Sequence, residues 1–276
     1  ICSLEIKTVY GSATAIELVK IELDSETNQK IQWLKLESRL DIDLSPFIIK
    51  PFFISSSSAD NFALLIEAHK KKVFYSGSFK MDQTPLYGEK SDLAGMLAAM
   101  PPKTELGKAI DLYIGCSTNV ETQGYSLSEL DLVGNFKKIL SQNSSKRILI
   151  NTYDSNFIRL QNFLNLALEF NRKVALVHRN IRKTINAGKR SGVLSFPEDL
   201  IINISEIANY EDSNLLILTG EPEDLALESL EQIAFGRSVE FRLKEGDVVI
   251  NSADLPAGTV RMMAQISDQC FLKGVQ

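Results

Sequence analysis

Phe53-Ile54-Ser55-Ser56-Ser57-Ser58-Ala59-Asp60-Asn61-Phe62-Ala63-Leu64-Leu65-Ile66-Glu67, followed by Val73-Phe74-Tyr75-Ser76-Gly77-Ser78-Phe79, is the stretch whose reading decides the fold. Aromatic and branched apolar runs predict strands at 47–54, 62–68 and 72–76, bounded by polar breaks. The last two strands are joined by the tip His69-Lys70-Lys71, which places His69 at the surface. A further strand at 31–36 completes an expected hairpin meander within one sheet, with Trp33 expected in its core.

Upstream, residues 5–23 read as two strands around Gly11-Ser12-Ala13: Ile6 to Tyr10, then the alternation Ile16-Leu18-Val19-Ile21-Leu23. Residues 24–30 read as a polar turn. Downstream, Asp92 to Met100 predicts a short helix stopped by Pro101-Pro102, and Asp111 to Ile114 a strand. The rhythm then changes. Helices are expected at 126–141, with Ser128 as N-cap, and at 156–171, 179–188 and 224–235. Strands are expected at 147–151, 173–177 and 215–219, while residues 206–209 are ambiguous. Strands alternating with helices argue for a parallel α/β sheet. Residues 246–251 give one more strand, and Pro256 to Cys270 a turn and helix.

The two opening segments resemble the second half of the metallo-β-lactamase fold as it occurs in RNase J-like nucleases of the β-CASP family. Four phrases occur in family order: Phe74-Tyr75-Ser76-Gly77-x-Phe79-Lys80, Asp82-Gln83-Thr84-Pro85, Ser117-Thr118-Asn119-x-Glu121 and Lys244-x-Gly246-Asp247-Val248-Val249-Ile250. The resemblance implies an α/β (α+β core) protein, a truncated metallo-β-lactamase-like sheet with helices interrupted by an α/β β-CASP-like cap. The expected domains are 1–122 for the shortened core, 123–245 for the cap and 246–276 for the return to the core.

It also implies what is missing. Active relatives bind zinc through a histidine and an aspartate in these segments, where this sequence has Ser56 and Ser78. Cys116 stands where relatives have an acidic residue before Ser-Thr. The family's His-x-His-x-Asp-His loop, expected between the opening strands and Phe53, is absent. Its later His-x-Ser-Gly-His-type motif is not reached before Gln276, so the protein is either short or continues in segments encoded elsewhere. The opening Ile1 likewise implies upstream residues.

One argument is independent of resemblance. The sequence has 2 histidines, His69 and His178. A dinuclear zinc hydrolase needs about five histidines with bridging carboxylates, because imidazole and carboxylate hold zinc while leaving a position for water. No metal and no cofactor are therefore expected. Ser56 reads as part of a polar loop, Ser78 as a position that lost its bridging anion, and Cys116 as a buried inert thiol.

The remaining composition is that of an ordinary globular chain: 276 residues, 44% hydrophobic and 24% charged. No apolar run is long enough to span a bilayer, so no membrane association is expected. Cys2, Cys116 and Cys270 are scattered and odd in number, which fits a reducing cytoplasm. A net charge of -5 gives no general attraction for nucleic acid, though a local groove could still be basic.

Candidate nucleic-acid contacts are Ser155 and Asn156, which open a helix, and His178, Arg179, Arg182 and Lys183, the head of a basic cluster that continues to Lys189-Arg190. Plain N-capping and a solvated helix face are the competing readings. Asp154 beside the first pair weakens it as an anion site. Glu221, Glu223 and Asp224 would repel phosphates, and an acidic helix start explains them without chemistry.

The expected function is a catalytically inactive RNase J/β-CASP-like structural or partner-binding subunit, its partner an active paralogue or a second copy. The alternatives are an RNA- or DNA-binding module without metals, and a zinc-dependent RNA nuclease whose ligand segments lie outside this sequence.

Overall fold

The computed structural model describes residues 6–82, 84–101, 109–222, 225, 227–255 and 258–276. Cys2, Gln83, Pro102, Glu223, Asp224 and Pro256 lie outside the described residues. The chain divides into two units, Ile1–Leu130 and Asp131–Gln276.

In the first unit β1 (Thr8–Gly11) and β2 (Gln32–Lys35) pair in parallel, separated in sequence by helices α1 (Ala13–Glu22) and α2 (Ser25–Lys30). Parallel strands need such a crossover. The strand expected over 16–23 is thus a helix, and the polar turn at 24–30 is a second one. Ser12 caps α1 by accepting the Ala15 N–H (3.2 Å). Asp60, from 46 residues away, accepts the Thr14 N–H (2.8 Å). The alternation of Ile16, Leu18 and Ile21 carries no trace of that distant cap. Asp24 caps α2 through the Thr27 N–H (2.9 Å). Trp33 is half-buried on this small sheet, with the Lys20 ammonium 5.7 Å from its ring centroid, and not in the main core.

The main sheet of this unit runs β3 (Ile42–Leu44), β4 (Phe47–Phe53), β5 (Phe62–Ala68), β6 (Lys71–Tyr75) and, after helix α3 (Leu93–Ala99), β7 (Leu112–Ile114). The first four strands form the expected antiparallel meander, without β2, and β7 joins parallel to β6. Register puts Phe52 opposite Ala63 and Leu65 opposite Phe74. These residues pack with Ile54 and Met96 of α3. His69 and Lys70 form the exposed tip, with φ of 48° and 64°.

Helix α4 (Glu129–Gln142) leads into the second unit. There follow β8 (Ile148–Tyr153), α5 (Phe157–Glu169), β9 (Lys173–Val177), α6 (Arg179–Ser191), β10 (Ile201–Ile202), β11 (Leu215–Glu221), α7 (Glu228–Ala234), β12 (Val248–Asn251) and α8 (Val260–Leu272). All strands are parallel, in the order β10-β9-β11-β8-β12. The middle strands are buried on both faces, which is why β8 and β11 read as near-continuous apolar runs. Leu149, Ala175 and Ile217 pack against Leu230 and Ile233 of α7 and Ile266 and Cys270 of α8.

The return to the first domain expected at 246–276 is corrected. β12 lies in register with β8, from Val248 opposite Ile148 to Asn251 opposite Asn151. Its entry is fixed by a buried ion pair, Arg147 Nε and Nη2 donating to Asp247 (2.9 and 2.6 Å). An apolar run such as Val248–Ile250 does not reveal which sheet will take it. That is decided by Arg147, 100 residues earlier.

Candidate functional site

The strands β4, β6 and β7 end at one edge of the first sheet, so the loops carrying Ser56, Ser78 and Cys116 gather there. Ser55 and Lys80 tie two of them together: Lys80 N–H donates to Ser55 O (2.8 Å) and Ser55 Oγ to Lys80 O (2.5 Å). Asn61 Nδ2 donates to Ser78 O (2.5 Å), and Ser76 N–H to Ile114 O (3.0 Å). Gly77 adopts φ 60°, a turn open to glycine at little cost.

The side chains in this frame do not fit zinc. Ser56 Oγ donates to Ser58 O (2.9 Å) and accepts the Ser58 N–H (3.1 Å), closing its loop on itself. Ser78 is exposed. The Cys116 thiol, half-exposed where burial was expected, donates to Thr118 Oγ1 (3.0 Å). Among the described residues no three of His, Cys, Asp and Glu converge in a way that could hold a metal ion. Ser91, unremarked in the sequence, is the hidden partner of this edge, with its Oγ 2.8 Å from that of Ser55.

In the second unit β8, β9, β11 and β12 also end together, because they are parallel. The crevice outside such ends is the usual ligand position in open α/β sheets. Asn156 is a plain N-cap of α5, its Oδ1 accepting the Arg159 N–H (3.0 Å), while Ser155 is exposed. Arg159 reaches to Ser252 O (2.5 Å) at the end of β12.

His178 and Arg179 follow β9, and the order β9-β11-β8 sets the end of β11 between them and Ser155. That end is Glu221. Its buried carboxylate accepts from Asn180 Nδ2 of α6 (2.5 Å) and from Ser229 Oγ of α7. Asp154 N–H donates to Glu221 O (3.2 Å). Burial, and then the charge of Glu221, push the half-buried Asp154 carboxyl up to about 6. A pair of acids therefore stands between the two groups of expected phosphate contacts.

The basic cluster is largely spent on internal partners. Arg182 grips Glu240 with two bonds of 2.8 Å, and these hydrogen bonds hold the Glu240 carboxyl down at about 2. Glu240 also accepts the His178 N–H (3.0 Å). Lys189 pairs with Glu198 (3.0 Å). Lys183 is half-buried, and Arg179 and Arg190 are exposed. Glu240, Asn180 and Ser229 had no motif to announce them. The one usable signal was Glu221 itself, since a carboxylate ending an apolar parallel strand must find donors.

Among the described residues no helix is long and apolar enough to cross a membrane. Residues 145–270 match the family of the ribonuclease J β-CASP domain. Over 275 residues the chain is 27% identical to ribonuclease J of Synechocystis sp., covering 98% of this chain and 41% of that protein. It is 28% identical over 244 residues to ribonuclease J 2 of Staphylococcus saprophyticus, covering 87% of this chain and 42% of that one. For ribonuclease J of Helicobacter pylori the figures are 26% over 248 residues, 89% and 35%. The chain thus spans about two fifths of the length of these curated relatives. A crystal structure of a protein of unknown function from Enterococcus faecalis V583 shares the fold, with TM-score 0.62, 15% identity, and coverage of 96% of this chain and 62% of that one. Together with the alternating parallel α/β unit that the match covers, these findings show that the chain is similar to ribonuclease J over most of its length and to the ribonuclease J β-CASP domain over residues 145–270.

Proposed function

We propose that this chain is a catalytically inactive RNase J-like protein that serves in the cytoplasm as a structural or partner-binding subunit, without metal or cofactor. The observation that carries the reading is the pair Ser56 and Ser78, at the positions where the resemblance puts metal-binding histidine and aspartate. Neutral hydroxyls neither hold zinc nor screen the repulsion between two dications. The backbone around them keeps its turn at Gly77 and its ties from Lys80 and Asn61, so the fold of the edge is retained while its donors are not. The partner is an active paralogue or a second copy. The test is zinc loading followed by dialysis, metal mass spectrometry and an assay on single-stranded RNA. The expected result is substoichiometric zinc and no RNA turnover. Two zinc ions per chain together with RNA cleavage would overturn the reading.

A second reading, an RNA-binding module, has one observation in its favour: Ser155 and Arg179 are both exposed at the ends of parallel strands. The acids Asp154 and Glu221 between them count against it. Arg179→Glu should abolish any salt-sensitive binding to single-stranded RNA, and binding unchanged by that substitution would remove the reading.

A further inference from the structure

The acid pair at the ends of β8 and β11 stands over a buried hydroxyl that nothing satisfies. Thr152 lies opposite Gly220, and past the end of β8 the Asp154 N–H still donates to Glu221 O (3.2 Å). Side chains alternate along a strand, so Thr152 and Asp154 point to one face, roughly 6–7 Å apart. Helix α6 covers that face. A Cβ at position 220 would sit 2.8 Å from Thr152 O and 3.2 Å from Ile181 Cδ1, so glycine is what lets Ile181 close down as an apolar wall beside the acids. Thr152 is wholly buried, and among the described residues its Oγ1 has no hydrogen-bond partner. Backbone N–H groups of its own turn serve the Asp154 carboxyl, and the charge that acts on it is that of Glu221 rather than a cation. A half-buried acid beside a second acid, above an orphaned hydroxyl, is a set of acceptors short of donors.

We propose that this corner takes a guanidinium group, presented by an arginine of a protein partner; the inference rests on the reading of the chain as a partner-binding subunit and names the chemistry of one contact. Among the described residues no three of His, Cys, Asp and Glu converge to hold a metal ion, so the cation must bring its own geometry. A guanidinium presents up to five N–H donors in one plane, and hydrogen bonds at its two ends span the gap from Asp154 to Thr152. Glu221 already accepts from Asn180 and Ser229, yet a carboxylate has lone pairs for further donors. An ammonium is a compact, strongly hydrated charge and suits a corner walled by Ile181 less well. The start of α6 favours the two anions over a cation, but that field is weaker than hydrogen bonds between ionised groups.

The test is an NMR titration of the full chain with the peptide acetyl-Gly-Arg-Gly-amide at neutral pH. The expected result is saturable shifts at the amides of Asp154, Gly220 and Asn180, with a Kd of roughly 1 mM. Asp154→Asn should weaken binding about tenfold and the isosteric Thr152→Val about threefold, with unchanged circular dichroism. Asp212→Asn, an acid just before β11 at the far end of the same strand, should change nothing. The lysine counterpart of the peptide should bind about fivefold more weakly. Free arginine should also bind more weakly, because its carboxylate is repelled by the two acids. Shifts that do not saturate overturn the proposal, as does binding indifferent to Asp154→Asn or equal for the lysine peptide. Mg²⁺ displacing the peptide, or free arginine binding more tightly than it, would overturn the assignment to a partner's side chain. A chain that ignores the peptide, yet holds no zinc and leaves RNA intact, would lose this contact alone and keep the proposed lack of catalysis.

Discussion

Asp154 and His178 each occupy an unfavourable local state. The folded Asp154 carboxyl titrates at about 6, above the ordinary 3.8, chiefly because it is buried and then because Glu221 is charged. Between those values the folded protein holds the proton more tightly than the unfolded chain does. Stability therefore falls as pH rises from about 3.8 to about 6, and the loss is complete above that. Discounted for the partial exposure of the carboxyl, the loss is about 1–2 kcal/mol. Asp154→Asn should recover that amount at pH 7 and change little at pH 4, as measured by urea denaturation at both. His178 has φ 72° and ψ 156°, a region that only glycine occupies without strain. His178→Gly should raise the unfolding free energy by about 1 kcal/mol, the released strain outweighing lost side-chain packing and added chain entropy. A destabilised His178→Gly would mean that the imidazole contributes more to packing than its backbone costs.

At the scale of elements, Arg172 ties together strand starts of the second unit. Arg172, 2% exposed, donates from Nη1 to Lys146 O and Leu215 O (both 2.8 Å) and from Nη2 to Asn143 O (3.0 Å) and Ser144 O (3.1 Å). It thereby joins the end of α4 to the starts of β8 and β11. Removing it strands several buried carbonyls at once. Arg172→Met, which keeps the bulk and deletes the donors, should cost about 3–4 kcal/mol, read from the denaturation midpoint. A loss under about 1 kcal/mol would mean that water replaces the guanidinium. Helix α1 makes a related point. Its residues alternate as a strand would, and the cap from Asp60 tips the segment into a helix by satisfying a donor that an isolated peptide would leave to water.

For the molecule as a whole, the parallel sheet of the second unit has its own core, including β12 and α8. A fragment of residues 126–276 should unfold in one cooperative thermal transition, whereas one ending at 245 should not, because it loses β12 and the Arg147–Asp247 pair; calorimetry of both fragments decides. The sequence by itself determined most of the element plan. Strands buried on both faces need continuous apolar runs, and helix-spaced segments between them force a parallel α/β order. It also determined that the loops after β4 and β6 carry the hydroxyls of Ser56 and Ser78, identities that no packing can alter. Tertiary structure alone decided which sheet received β12, that Arg182 is committed to Glu240, and that Glu221 stands beside Asp154 with Asn180 and Ser229 as donors. Each of those outcomes depends on partners 8 to 100 residues apart. Local propensity and periodicity report a residue's own segment, whereas burial and pairing depend on which segments meet.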